Sequence, residues 1–219
     1  MVEIAPDPDA AVRGITDGST VLIGGFGPAG QPYALIDALR RSGAADLTVV
    51  NNNAGNGTTG LAALLATGRV RKIICSFPRQ TDSFVFEELH AAGRIELEVA
   101  PQGNLAERIR AAGAGIGGFY TPTGAGTMLA EGKETRTIDG RVHVLEHPIR
   151  ADVALIRAHT ADEAGNLVYR KTGRNFGPIM ATAARLTIAE VTRTVPVGGL
   201  DPEAVVTPGI FVNRVVVTG

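Results

Sequence analysis

Short apolar runs alternate with amphipathic stretches through the first half of the chain. "STVLIG" (19–24), "DLTVVNN" (46–52), "VRKIICSF" (70–77) and "RIELEVA" (94–100) are compact and rich in β-branched residues, and each predicts a strand. "QPYALIDALRRSG" (31–43), "TTGLAALLATG" (58–68), "SFVFEELHAAG" (83–93) and "NLAERIRAAGAG" (104–115) space their apolar residues as helices do. Pro32 suits a first helical turn, Gly43 a C-terminal stop, and Asn104 a helix cap. Strand–helix alternation at this spacing predicts an α/β fold: an open, mainly parallel sheet with helices on both faces.

The pattern changes after about Gly113. Residues 114–145 are rich in glycine and threonine and read as loops with short hairpin strands, Asp139-Gly140 supplying a hairpin turn. "ADVALIRAH" (151–159) and "LTIAEV" (186–191) predict further buried strands, and "NFGPIMATAAR" (175–185) a helix broken near Pro178. No Ser/Pro-rich linker or charge run divides the 219 residues, so a single domain over 1–219 is expected.

Composition narrows the function classes. Basic and acidic residues number 21 and 22, and no basic stripe with interleaved aromatics favours nucleic acid. No apolar run approaches the ~20 residues of a membrane span, and the N-terminus lacks a secretory pattern. The single cysteine, Cys75, excludes an intrachain disulfide and reads as a buried, reduced strand residue. A cytoplasmic protein is expected.

The candidate chemistry lies at strand ends. "GGFGPAGQP" (24–32) contains G-x-G-x-x-G at Gly25, Gly27 and Gly30, directly between a strand and a helix. Such a turn aims backbone N–H groups and a helix's positive end at one point, which suits a phosphate, a carboxylate or a developing oxyanion. A dinucleotide site also wants an acid at the end of the second strand, ~20 residues on. That strand ends instead in Asn51–Asn53, and Asp46 stands at its beginning. A nucleotide-triphosphate loop is absent as well: Gly132-Lys133 is followed by Glu134, and Thr127 stands where the first glycine belongs. No G-x-S-x-G nucleophile elbow occurs. His90, His143, His147 and His159 lack a metal-binding pattern, and His143 with His147 reads as a pair of surface residues.

These pieces together have a resemblance. "DGSTVLIGGFGPAGQP", "NNAGNG", "CSFPRQTDS", "IELEVAPQGNLAERIRAAGAGIGGFYTPTGAGT", "EGKETR" and "YRKTGRNFGPIMATAA" resemble segments of the alpha (A) subunits of family I coenzyme A-transferases, and they run through nearly the whole chain. The resemblance implies transfer of CoA from succinyl-CoA to a 3-oxo acid, with 3-oxoadipate the expected acceptor and acetoacetate or another short 3-oxo acid the alternative. It implies ping-pong chemistry through an acyl-glutamyl anhydride and a glutamyl-CoA thioester. It places the nucleophilic glutamate in a companion B subunit, within a Ser-Glu-Asn-Gly segment, and this chain has no Glu-Asn dipeptide. An obligate hetero-oligomer is therefore expected, with a CoA thioester as substrate and no tightly bound cofactor or metal.

The same resemblance assigns CoA binding to Gly24, Gly25, Phe26, Gly27, Pro28, Ala29 and Gly30, and active-site roles to Asn52, Asn53 and Gln102. Amides donate hydrogen bonds to a thioester oxygen without protonating a carboxylate nucleophile. Read from the residues alone, amides at strand ends also serve local backbone groups. Arg79, in "FPRQ", is a candidate partner for the distal carboxylate of 3-oxoadipate. Arg170, Lys171 and Arg174 form a cluster suited to a CoA phosphate, to a protein partner, or to solvent. A non-catalytic CoA- or sugar-phosphate-binding module on the same scaffold remains the alternative of a different class.

Overall fold

The apolar runs pair as parallel strands of one eight-stranded sheet in the computed structural model, which describes residues 1–218. The first half supplies β1 (Glu3–Ala5), α1 (Pro8–Ala11), β2 (Thr20–Ile23), α2 (Tyr33–Ser42), β3 (Leu47–Val50), α3 (Gly60–Ala66), β4 (Val70–Cys75), α4 (Phe84–Ala91), β5 (Glu96–Val99) and α5 (Gln102–Gly113). The middle supplies β6 (Phe119–Thr121), β7 (Thr135–Ile138) and β8 (Arg141–Glu146). The remainder supplies β9 (Ala151–Arg157), β10 (Thr160–Asp162), β11 (Leu167–Val168), α6 (Gly177–Thr182), β12 (Ala184–Val191), β13 (Arg193–Val195) and β14 (Arg214–Val217).

The sheet order is β1-β14-β12-β9-β2-β3-β4-β5. From β2 the chain steps outward through β3, β4 and β5. It then returns to β9 on the other side of β2 and steps outward again through β12 and β14. The order therefore reverses between β2 and β9, and a crevice opens beyond the carboxyl ends of such a pair.

Successive residues of each strand feed different cores. Val21, Ile23, Val49, Ile73, Val153 and Leu155 pack against α1 to α4, with Leu35, Leu39, Leu61, Leu65 and Phe86 opposite them. Leu22, Val50, Ile74, Ala154 and Ile156 pack on the other face, against Leu105 and Ile109 of α5 and Met180 of α6. Burial on both faces explains why these strands read as nearly continuous apolar runs. Cys75 lies wholly inside the first core, where burial pushes its thiol up to about 12 and keeps it un-ionised. Among the described residues no helix is long and apolar enough to cross a membrane.

Within residues 119–146 the chain forms an antiparallel sheet in the order β6-β8-β7, with the Asp139-Gly140 turn joining β7 to β8. A buried carboxylate ties this excursion to the main body. Glu146, 3% exposed, takes Lys133 Nζ at 2.8 Å and Asn104 Nδ2 at 3.1 Å. Asn104 is thus not a helix cap: α5 begins at Gln102, and Asn104 turns inward to satisfy Glu146. Pro178 does not break a helix either, because α6 starts at Gly177 and Pro178 sits in its first turn, where a missing N–H costs nothing. Pro32 stands one residue before α2 as its N-cap, and Gly43 closes α2 in the left-handed conformation expected of it.

Candidate functional site

The glycine loop leaves β2 at the strand-order reversal. Gly24 donates to Leu155 O of β9 at 2.9 Å, and Phe26 and Ala29 exchange backbone bonds at 3.0 and 3.3 Å to make a tight turn. Asn175, remote in sequence, clasps both limbs of that turn. Its Oδ1 accepts the Gly25 N–H at 3.2 Å, and its Nδ2 donates to Ala29 O at 2.9 Å and Thr172 O at 3.0 Å. Gly30 has φ +73°, and a Cβ there would overlap the Gly173 carbonyl oxygen and stand 2.7 Å from Asn175 Nδ2. Glycine is required at this position on both counts.

The positive end of α2 is not free for a ligand, contrary to expectation. Ala34 N–H and Leu35 N–H donate to Glu190 Oε2 at 2.9 and 3.2 Å, and Arg157 Nη1 lies 3.2 Å from Glu190 Oε1. Glu190 lies at the end of β12 and is 2% exposed. Its burial raises the carboxyl above its ordinary range, against the opposing pull of the Leu35 amide, Arg157 and the Ala34 amide. An internal carboxylate at the helix start satisfies the dipole that the glycine turn was expected to offer outward. Of the loop amides, those of Gly27 and Gly30 have no intrachain acceptor among the described residues.

The asparagines after β3 divide their work. Asn51 donates Nδ2 to Ile23 O at 2.6 Å, joining the ends of β3 and β2, and accepts the Asn53 N–H at 2.9 Å. Asn52, 2% exposed, accepts Ser76 Oγ and Gln102 Nε2 on its Oδ1, both at 2.8 Å. With the oxygen occupied twice, the Nδ2 group is what Asn52 presents to a cavity of about 330 Å³ lined by Phe26, Asn52, Ser76, Phe77, Gln80 and Gln102. Asn53 is not among that lining. Its Oδ1 accepts the Gly55 N–H at 3.0 Å, and its Nδ2 is the one buried side-chain donor of the described residues without a partner.

The structure therefore brings together Phe26 of the glycine loop, Asn52 and Gln102, and buries Asn53 outside that lining. Phe77, 58% exposed, and Phe26 form the apolar rim. Arg79 is exposed and stands outside the cavity lining. Lys171 and Arg174 line a second cavity with Phe26, Ala29 and Asn175, while Arg170 lines a third with Ala29, Gly30 and Arg157. Sequence reasoning misses Ser76, Asn175, Arg157 and Glu190. Glu190 carries a signal, a lone acid near the end of the otherwise apolar run "LTIAEV"; the partners of the other three are fixed only by tertiary structure.

Comparison with known proteins agrees with this architecture. Residues 6–218 match the family model described as Coenzyme A transferase. The chain is 67% identical over 207 residues to the A subunit of 3-oxoadipate CoA-transferase from Pseudomonas putida, covering 94% of this chain and 90% of that one. It is 54% identical to the A subunit of succinyl-CoA:3-ketoacid coenzyme A transferase from Xanthomonas campestris, covering 96% and 86%. Among solved structures, the acyl-CoA transferase YdiF of Escherichia coli O157:H7, in a thioester complex with CoA, superposes with TM-score 0.87 at 23% identity. That match takes in 99% of this chain and spans 47% of the YdiF chain, a likeness of fold.

Proposed function

Because this chain belongs to the coenzyme A transferase family, we propose that it is the A subunit of a 3-oxoadipate CoA-transferase, moving CoA from succinyl-CoA to 3-oxoadipate. The Pseudomonas putida relative supports the acceptor, and the naming of both relatives as A subunits supports a B partner; on this reading that partner supplies the nucleophilic glutamate. A cytoplasmic location goes with this reading.

The observation that carries the chemistry is the locked Asn52 amide. When the partner's carboxylate attacks the succinyl-CoA carbonyl, negative charge gathers on the carbonyl oxygen. The Asn52 Nδ2–H group, fixed by Ser76 and Gln102, donates to that oxygen. A preorganised donor of this kind is worth about 3 kcal/mol in the transition state. Collapse releases CoA thiolate and leaves an acyl-glutamyl anhydride. The thiolate then attacks the glutamyl carbonyl and expels succinate, and the resulting glutamyl-CoA passes CoA to the 3-oxo acid by the reverse steps. Gln102 positions Asn52, Asn53 braces the following turn through the Gly55 amide, and the segment Gly24–Gly30 receives the CoA chain. Arg79 meets the distal carboxylate of the acceptor from outside the cavity.

The assembled A·B complex, assayed with succinyl-CoA and either 3-oxoadipate or acetoacetate, tests this. A higher kcat/KM for 3-oxoadipate is expected, and Arg79→Met should raise KM for that acceptor more than for acetoacetate. Preference for acetoacetate would assign the chain to the 3-ketoacid branch, which the Xanthomonas campestris relative represents.

A further inference from the structure

Across the glycine loop from Asn52 lies a cavity of different character. It has a volume of about 360 Å³ and is lined by Gly30, Arg157, His159 and Arg170 among others. It sits beyond the carboxyl end of β9, at the β2–β9 reversal where open α/β sheets hold their ligands. Arg157 is aimed rather than loose, since Glu190 Oε1 holds its guanidinium at 3.2 Å while two α2 amides hold the other carboxylate oxygen. Arg170 makes no ion pair among the described residues. Two guanidinium groups, together with a Gly30 amide that has no acceptor among the described residues, make a surface suited to phosphate.

The cavity and the amide site are linked by shared lining residues through one intervening cavity. Ala29 lines the arginine cavity and also the neighbouring cavity that holds Lys171 and Arg174; Phe26 lines that neighbour and also the Asn52 cavity. Strands about 4.8 Å apart set β9 on the order of 10 Å from β3, a distance the pantetheine arm spans. We propose that Arg157 and Arg170 bind the phosphate groups of the acyl-CoA substrate, so that the thioester rests at Asn52 while the nucleotide end crosses the glycine loop to β9. The assignment rests on the CoA-transfer reading above and extends it to the orientation of the substrate.

The test uses the A·B complex with two donors, succinyl-CoA and succinyl-pantetheine, which lacks the phosphates. Arg170→Gln should lower kcat/KM for succinyl-CoA relative to succinyl-pantetheine by about tenfold or more, chiefly through KM. Arg157→Gln should do the same; since it also unpairs Glu190, Arg170→Gln is the cleaner variant. Equal effects on both donors, or none on succinyl-CoA, would overturn the assignment. So would loss of copurification with the partner at an unchanged donor ratio, which would give these arginines to the interface between the two proteins. Calorimetric titration with CoA and with pantetheine keeps the two readings separable. A complex that binds CoA through these arginines yet transfers nothing sinks the transfer reading alone.

Discussion

Gln102 Nε2, on the first residue of α5, donates to Asn52 Oδ1 at 2.8 Å, in the segment that follows β3 and 50 residues away in sequence. The bond leaves Asn52 one orientation, with its donors toward the cavity. Gln102 thus acts through Asn52.

Asn52→Ala should lower kcat by roughly 10²–10³, the usual cost of losing one oxyanion donor. Gln102→Ala should lower it by about tenfold, and the double variant should be no slower than Asn52→Ala, because residues acting as one unit are not additive. Steady-state kinetics of the assembled complex measure all three. A double variant slower by the product of the single effects would mean that Gln102 works independently.

The clasp made by Asn175 governs the glycine loop. Asn175→Ala removes both the acceptor for Gly25 N–H and the donor to Ala29 O, while Asn175→Asp keeps only the acceptor. KM for succinyl-CoA should rise in both, more in the alanine variant, with a smaller effect on kcat. Gly30→Ala should be more damaging, costing about 1–3 kcal/mol of stability for the strained φ alone. Thermal unfolding of the complex checks the latter, and an alanine at position 30 without loss of stability would refute the close approach to Gly173.

The buried Glu190 makes stability depend on pH. Burial raises its folded pKa above the ordinary 4.5. Between that value and the raised one the folded state binds more protons than the unfolded state, so stability falls as pH rises through the window. Glu190→Gln keeps an acceptor for Ala34 and Leu35 but cannot ionise. The stability difference between the native chain and this variant should therefore shift toward the variant as pH rises above 4.5, read from urea midpoints. A shift toward the native chain would show that pairing with Arg157 outweighs burial.

Much of the sheet was legible because its strands are buried on both faces and its helices carry regular apolar stripes. β2 through α5 follow the local pattern, and the glycine loop and asparagine run stand at the rim where strand polarity puts them. What local pattern could not reveal were pairings between distant segments. Asn104 looks like a cap until Glu146, 42 residues on, claims its amide. The α2 start looks like an anion site until Glu190, 156 residues from Ala34, fills it. Asn52 and Asn53 are indistinguishable in sequence, and only the Ser76 and Gln102 contacts separate the cavity donor from the buried neighbour.

The most direct test incubates the A·B complex with succinyl-CoA alone and locates the covalent adduct by peptide mass spectrometry. A CoA thioester on a glutamate of the partner, with every glutamate of this chain unmodified and the separate chain inert, is the expected result. An adduct on one of this chain's own glutamates, or turnover by the chain without its partner, would contradict a division of labour in which it polarises the thioester and the partner attacks it.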